Sequence, residues 1–363
     1  MPHQDEFLAM RPLWSGTIRA RALGPPGEKW ILHAGPPFAD PADVPPPVAN
    51  SLAAAIRFEG WAKDDAEARA NLARGRIALH PAQDYGVVTP LAFPVSPSMT
   101  LMRVGTAAAP FNEGGGDVLR LGSPAAAARE RLNWIERALV PAFAFVADAP
   151  VDLLARAKTA LDAGDDLHAS SAGASAALAR EFAARVPPDI AGFLAGAPAF
   201  FLNLAMAMAC ACLAKAPAGL ITALGGNGRD FGFKRAGDAT WTTAPATPPR
   251  GPVSAPGAVL PAIGDSAVVE AFGLGAMAAG VAPTPYRDYG PWLPADSLRL
   301  AREILAHDHP ILGVPVGLDI GRILKKNQSP VVSLAMLAAD GSGRMLGRGI
   351  FRPDPLIFVK IGP

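Results

Sequence analysis

Between residues 45 and 74 the apolar positions Val48, Leu52, Ala55, Ile56 and Ala62 recur at three and four residues, the spacing of one helical face. The paired Asp64 and Asp65 favour a second helix start there, and Gly75 ends it. On either side the period shortens. Lys29 to His33 and Ile77 to Leu79 read as strands, the first halted by Ala34-Gly-Pro-Pro37. From His80 to Met102 short apolar runs alternate with turn residues, which predicts loop-and-strand material at a surface or cleft. After the cluster Phe111-Asn-Glu-Gly-Gly-Gly-Asp117, Val118 to Leu121 reads as a resumed strand.

Residues 123 to 187 return to helical spacing, opened by Ser123-Pro124 and closed by Val186-Pro-Pro188. Further on, the apolar run Leu220 to Leu224 is broken by Gly225-Gly-Asn-Gly228 and followed by Phe231 and Phe233, a strand, turn, strand pattern. Residues 238 to 262 form a long Pro-, Ala- and Thr-rich connection, and Asp265 and Ser266 are N-cap types ahead of Ala267 to Phe272. Leu298 to Leu305 is helical, Val331 to Leu337 a buried strand, and Leu356 to Val359 a closing strand. The expected fold class is mixed α+β and multidomain: an α/β domain over 1–122, a helical domain over 123–188 and a second α/β domain over 189–363.

Composition narrows the function classes. A net charge of +1, from 33 basic and 32 acidic residues, gives no electrostatic footprint for nucleic acid or an anionic membrane. The two cysteines, Cys210 and Cys212, are poorly placed to pair with each other, which fits a reducing cytoplasm, and the polar, acidic start of the chain does not direct export. Ile190 to Ala214 is uncharged and long enough to span a bilayer, but its Ala and Gly content, Pro198 and Asn203 favour a buried helix.

Several polar residues stand where chemistry is expected. Gly225, Gly226, Asn227 and Gly228 form either an ordinary hairpin turn or a concave anion site of backbone amides. They fit neither a Walker loop nor a dinucleotide fingerprint. His33 at a strand end is a candidate general base, while Asn112 and Glu113 precede the bare glycine turn and can orient a polar substrate. Asp165, Asp166 and His168 fall short of a convincing metal set, so no metal is expected. Asp265 and Ser266 leave backbone donors at a helix start.

Taken in order, His33-Ala-Gly-Pro-Pro37, Val95-Ser-Pro-Ser-Met99, Asn112-Glu-Gly114 with Val118-Leu-Arg120, Gly164-Asp-Asp-Leu-His168, Gly225-Gly-Asn-Gly228 with Phe231-Gly232, and Ile263-Gly-Asp-Ser266 with Glu270 and Gly273-Leu-Gly275 resemble the YlbE-like family, which includes the AllG subunits of oxamate carbamoyltransferase. The resemblance spans roughly residues 30 to 335 and marks a divergent member. It implies a cytoplasmic subunit that assembles with an FdrA-like subunit and a third small subunit, homo-oligomers being compatible with it. It also implies carbamoyl transfer between oxalurate or oxamate and phosphate, in allantoin catabolism, with no cofactor. On that footing Gly225 to Gly228 with Asp265 and Ser266 would hold phosphate, and His33, Asn112 and His168 would orient the acceptor or polarise the carbonyl. The chain departs from the family at Ala82-Gln-Asp-Tyr85, Ala169-Ser-Ser171 and Leu334-Ala-Met-Leu-Ala338, where imidazole and guanidinium groups are lost. A non-catalytic binding or assembly subunit is therefore the alternative.

Overall fold

The computed structural model describes residues 2–27, 29–287 and 289–359. The fold is mixed α+β, with several small sheets around a buried helical spine. Trp30–His33 and Ala78–Pro81 pair in parallel, joined by a crossover through the helices Pro46–Phe58 and Asp65–Ala73. The second helix starts as its sequence predicts, with the Asp64 side chain accepting from the Glu67 amide.

The spine is Phe200–Leu213, buried on nearly every side, as an all-round apolar helix must be. Its alanines let neighbouring backbones come close, and its one amide side chain, Asn203, donates to the Pro110 carbonyl at 2.9 Å. The uncharged run that raised the membrane question breaks into Pro188–Ala195 and Phe200–Leu213, bent by 77°. Among the described residues, no single helix is long and apolar enough to cross a membrane.

The expected segments interlock. A four-stranded antiparallel sheet takes Leu13–Arg19, Thr100–Val104 and Ala107–Pro110 from the first and Val151–Asp152 from the second. The larger hydrophobic core draws on all three, from Phe7 through Phe143 to Phe358. A second antiparallel sheet has the order 263–264, 221–227, 230–235, 242–245.

Local expectations fail where long-range contacts decide the backbone. Leu119–Leu121 is a 3-10 turn and Leu356–Val359 a helical turn, each too short an apolar run to fix its own conformation. The helix after Ser123 begins at Ala126, because the Ser123 hydroxyl donates to Asp117 instead of capping a helical amide. The long connection over 238–262 contains the strand Thr242–Pro245. Asp265 does not cap: Gly264 holds the N-cap position of the 3-10 turn Asp265–Ala267, and the Asp265 carboxylate points elsewhere.

Candidate functional site

A cavity of about 510 Å³ opens between the 112–121 loop, the 168–172 loop, the start of the spine helix, Ser266 and the hairpin of Val332–Leu337 with Met345–Phe351. Its wall carries Asn112, Arg120, His168, Ser266, Ser333 and Arg348, with no Asp or Glu among the lining residues. Such a wall favours an anion.

His168 is presented by a tight turn whose preceding residue, Leu167, has a left-handed φ of 71°. The turn is held by Asp166, whose carboxylate accepts from the amides of His168, Ala169 and Ser170 and from the Tyr286 hydroxyl. Strain of this kind persists where surrounding bonds over-determine it. The imidazole Nδ1 lies 2.7 Å from both oxygens of Glu270, which also accepts from the amides of Ala276 and Ser333. Gly275 makes the pair possible: a Cβ there would lie 2.2 Å from Glu270 Oε1 and 3.0 Å from His168 Cβ. Burial of the ring disfavours its proton, but the Glu270 carboxylate and that of Asp166 outweigh burial and hold His168 above the ordinary histidine value. With Nδ1 engaged, Nε2 is the nitrogen left for a bound molecule.

Asn112 lines the same cavity with its amide fully used. It donates to the Ala199 carbonyl at 3.0 Å and accepts from the Gly114 amide at 2.9 Å, so it shapes the wall. Glu113 lies behind that wall: its carboxylate accepts from the amides of Leu119 and Arg120, and Arg120 Nη1 stands 3.7 Å away. Burial raises Glu113 against the pull of Arg120 and these amides.

The remaining expected site residues gather elsewhere. His33 and Asn227 line a separate space of about 10 Å³, with Leu91 between it and the larger cavity. Burial drives His33 down to about 4, so its ring is neutral, and Nδ1 donates to the Ala34 carbonyl at 2.9 Å. Gly225 and Gly226 continue the central strand Ile221–Asn227, paired with Gly232 and Phe231 on one side and, at Gly226, with Gly264 on the other. The Gly228 amide donates to the Ala262 carbonyl. The anion-cradle expectation thus finds this backbone already engaged in the sheet, and only Asn227-Gly228 turns. Glycine is required at 35, where a Cβ would lie 2.2 Å from the Gly226 carbonyl carbon, and at 226, where a Cβ would lie 2.2 Å from the Ala262 carbonyl oxygen. Asn227 bonds across the same junction, donating to the Pro36 carbonyl and accepting from the amides of Arg229 and Asp230.

Asp265 is fully buried beside this junction. It accepts from the Gly35 amide at 2.8 Å, Gln83 Nε2 at 2.7 Å and the Thr89 amide at 2.9 Å, and it lines no part of the larger cavity. Burial pushes it up to about 7 despite these donors. Ser266, the next residue, does reach the cavity wall. Among the described residues no group of three His, Cys, Asp or Glu side chains stands ready to hold a metal; Asp165 instead accepts from Ser170 and the Ala174 amide.

The AllG family model, described as oxamate carbamoyltransferase subunit AllG, matches residues 77–266, a span that takes in the 112–121 loop, His168 and Ser266. The chain belongs to the AllG family. Consistent with that, it is 30% identical over 368 aligned positions to the oxamate carbamoyltransferase subunit AllG of Escherichia coli K12, covering 89% of this chain and 86% of that relative. It is 28% identical to the uncharacterized protein YahG of the same organism, over 92% of this chain and 78% of YahG. Its fold matches the crystal structure of a conserved protein of unknown function from Enterococcus faecalis V583, with a TM-score of 0.91 at 24% identity, covering 99% of this chain and 94% of that one.

Two residues of this AllG-family site carry no role in the sequence reading. Glu270 is signalled by being the one charged residue in the apolar stretch Ala267 to Phe272, where a buried acid needs a partner. Arg348 is signalled only by its glycine neighbours.

Proposed function

We propose that this chain is a subunit of a carbamoyltransferase-type enzyme acting on a small anionic substrate of the oxamate, oxalurate and carbamoyl phosphate class. The observation that carries the proposal is His168, braced by Glu270 at the wall of a cavity whose lining includes no carboxylate. On this reading a phosphate oxygen attacks the carbamoyl carbon of oxalurate and the bond to the oxamate nitrogen breaks. His168 gives its proton to that leaving nitrogen and recovers one from the attacking phosphate. Ser266 supplies a hydroxyl donor for the carbonyl oxygen as charge develops. Asn112 and Glu113 hold the wall, while Asp265 and the glycines from 225 to 228 keep the two halves of the chain in register behind it. The reaction would take place in a multi-subunit assembly, with an FdrA-like subunit and a smaller third subunit as the proposed partners.

Thermal shift with oxamate, phosphate and carbamoyl phosphate tests the proposal. A ligand at about 100 times its Kd stabilises the native state by about 2.7 kcal/mol. No shift with any of the three at high concentration contradicts it. A non-catalytic binding or assembly role has one observation in its favour: His33, Glu113, Asp265 and Asn227 all use their polar groups to hold backbone. Ligand-induced stabilisation with no turnover in the reconstituted complex would favour that role.

A further inference from the structure

Arg348 lies on the strand Met345–Phe351, opposite Ala335, and both line the cavity. The strand is fixed from its other side. Bridges join Ile350 to Arg250 and Gly347 to Val253, and a Cβ on Gly347 would lie 2.3 Å from the Pro252 carbonyl oxygen. The Arg348 Cα therefore has little freedom, and its guanidinium is anchored by Nη1 donating to the Ala169 carbonyl at 3.1 Å, one residue beyond His168.

What distinguishes this guanidinium is its charge balance. Four residues away on either side, Arg344 pairs with Asp340 and Arg352 with Asp296. The other arginine of the cavity, Arg120, has Glu113 at 3.7 Å and also donates to the Gly114 carbonyl. Among the described residues Arg348 has no carboxylate within 4.0 Å, and none lines the cavity it borders. A planar fork held at one corner by a carbonyl keeps its remaining N–H groups for a ligand, a geometry matched by carboxylate and phosphate oxygens.

We infer that Arg348 is the substrate-anchoring residue of this cavity, selecting molecules that carry an oxyanion group and setting that group beside His168. The inference rests on the carbamoyltransferase-type reading of the same site. It assigns the cationic end of the substrate pocket to the C-terminal hairpin, far in sequence from His168.

Isothermal titration of the full chain with oxamate, inorganic phosphate and neutral oxamide tests it, comparing wild type with R348Q, R348K and the control R344Q. R348Q is expected to weaken binding of at least one anion by roughly 10-fold or more, the worth of a charge-assisted contact. Oxamide binding should stay unchanged, and R348K should recover part of the loss. The anion that loses affinity tells whether the fork holds carboxylate or phosphate. R344Q removes the same charge away from the cavity and should match wild type. Equal anion binding by wild type and R348Q, or an equal loss in R344Q, overturns the inference and leaves the proposed function standing. No anion binding by wild type overturns both. Among the described residues the Arg348 side chain makes a single hydrogen bond, and the residue is exposed, so R348Q should melt with wild type, and that melt verifies that the loss is local.

Discussion

His168 Nδ1 stands 2.7 Å from each oxygen of Glu270, across 102 positions of sequence, with Gly275 providing the space for both. The contact fixes the tautomer and orientation of the ring and gives it a carboxylate that stabilises its charged form.

Replacing Glu270 with Gln removes that charge while keeping an oxygen for the Ala276 and Ser333 amides. The His168 value should fall, as followed by histidine-resolved NMR titration. The sign for stability follows from the raised value. The folded chain binds this proton more tightly than the unfolded chain, so the contribution is full below the ordinary 6.5 and is lost as pH rises through the raised value. In E270Q that fall in stability should disappear. A variant that titrates like wild type would show that the carboxylate does not control the ring.

Asp265 gathers three donors from residues 35, 83 and 89. Asp265→Asn turns an amide NH₂ toward at least one of them and should destabilise the chain by about 3 kcal/mol in urea denaturation. Burial raises the Asp265 carboxyl from 3.8 to about 7, so its contribution to stability is full below 3.8 and is lost as pH rises through about 7. The variant's stability should vary less over that window. Wild-type stability in D265N would rule out the junction role.

Gly226→Ala would place a Cβ 2.2 Å from the Ala262 carbonyl oxygen, a backbone atom that cannot move aside cheaply. A loss of about 3 kcal/mol is expected from overpacking, with unchanged oxamate affinity in the folded fraction. Weakened affinity at unchanged stability would instead return the glycines to an anion-binding role.

Much of the fold is legible where a segment decides its own structure. The three- and four-residue spacing before Phe58, the aspartate start at Asp64 and the apolar run of Val332–Leu337 all form as their patterns predict. The site is less legible, because its parts are defined by partners distant in sequence. Asp265 looks like a cap until Gly35, Gln83 and Thr89 arrive. The Gly225-Gly226 pair looks like a turn, yet its smallness serves a close crossing of two backbones in a continuous strand. His168 stands out by residue type, but the lone acid Glu270 in its apolar stretch does not name its partner, and Arg348 comes from a strand whose local pattern says nothing of chemistry.

The most direct test is carbamoyl phosphate formation from oxalurate and phosphate by the reconstituted complex carrying His168→Asn. Loss of the acid-base group should lower kcat by about 100-fold or more, with oxamate affinity changed little. A kcat equal to wild type would contradict the assignment of His168 and leave the cavity as a binding site only.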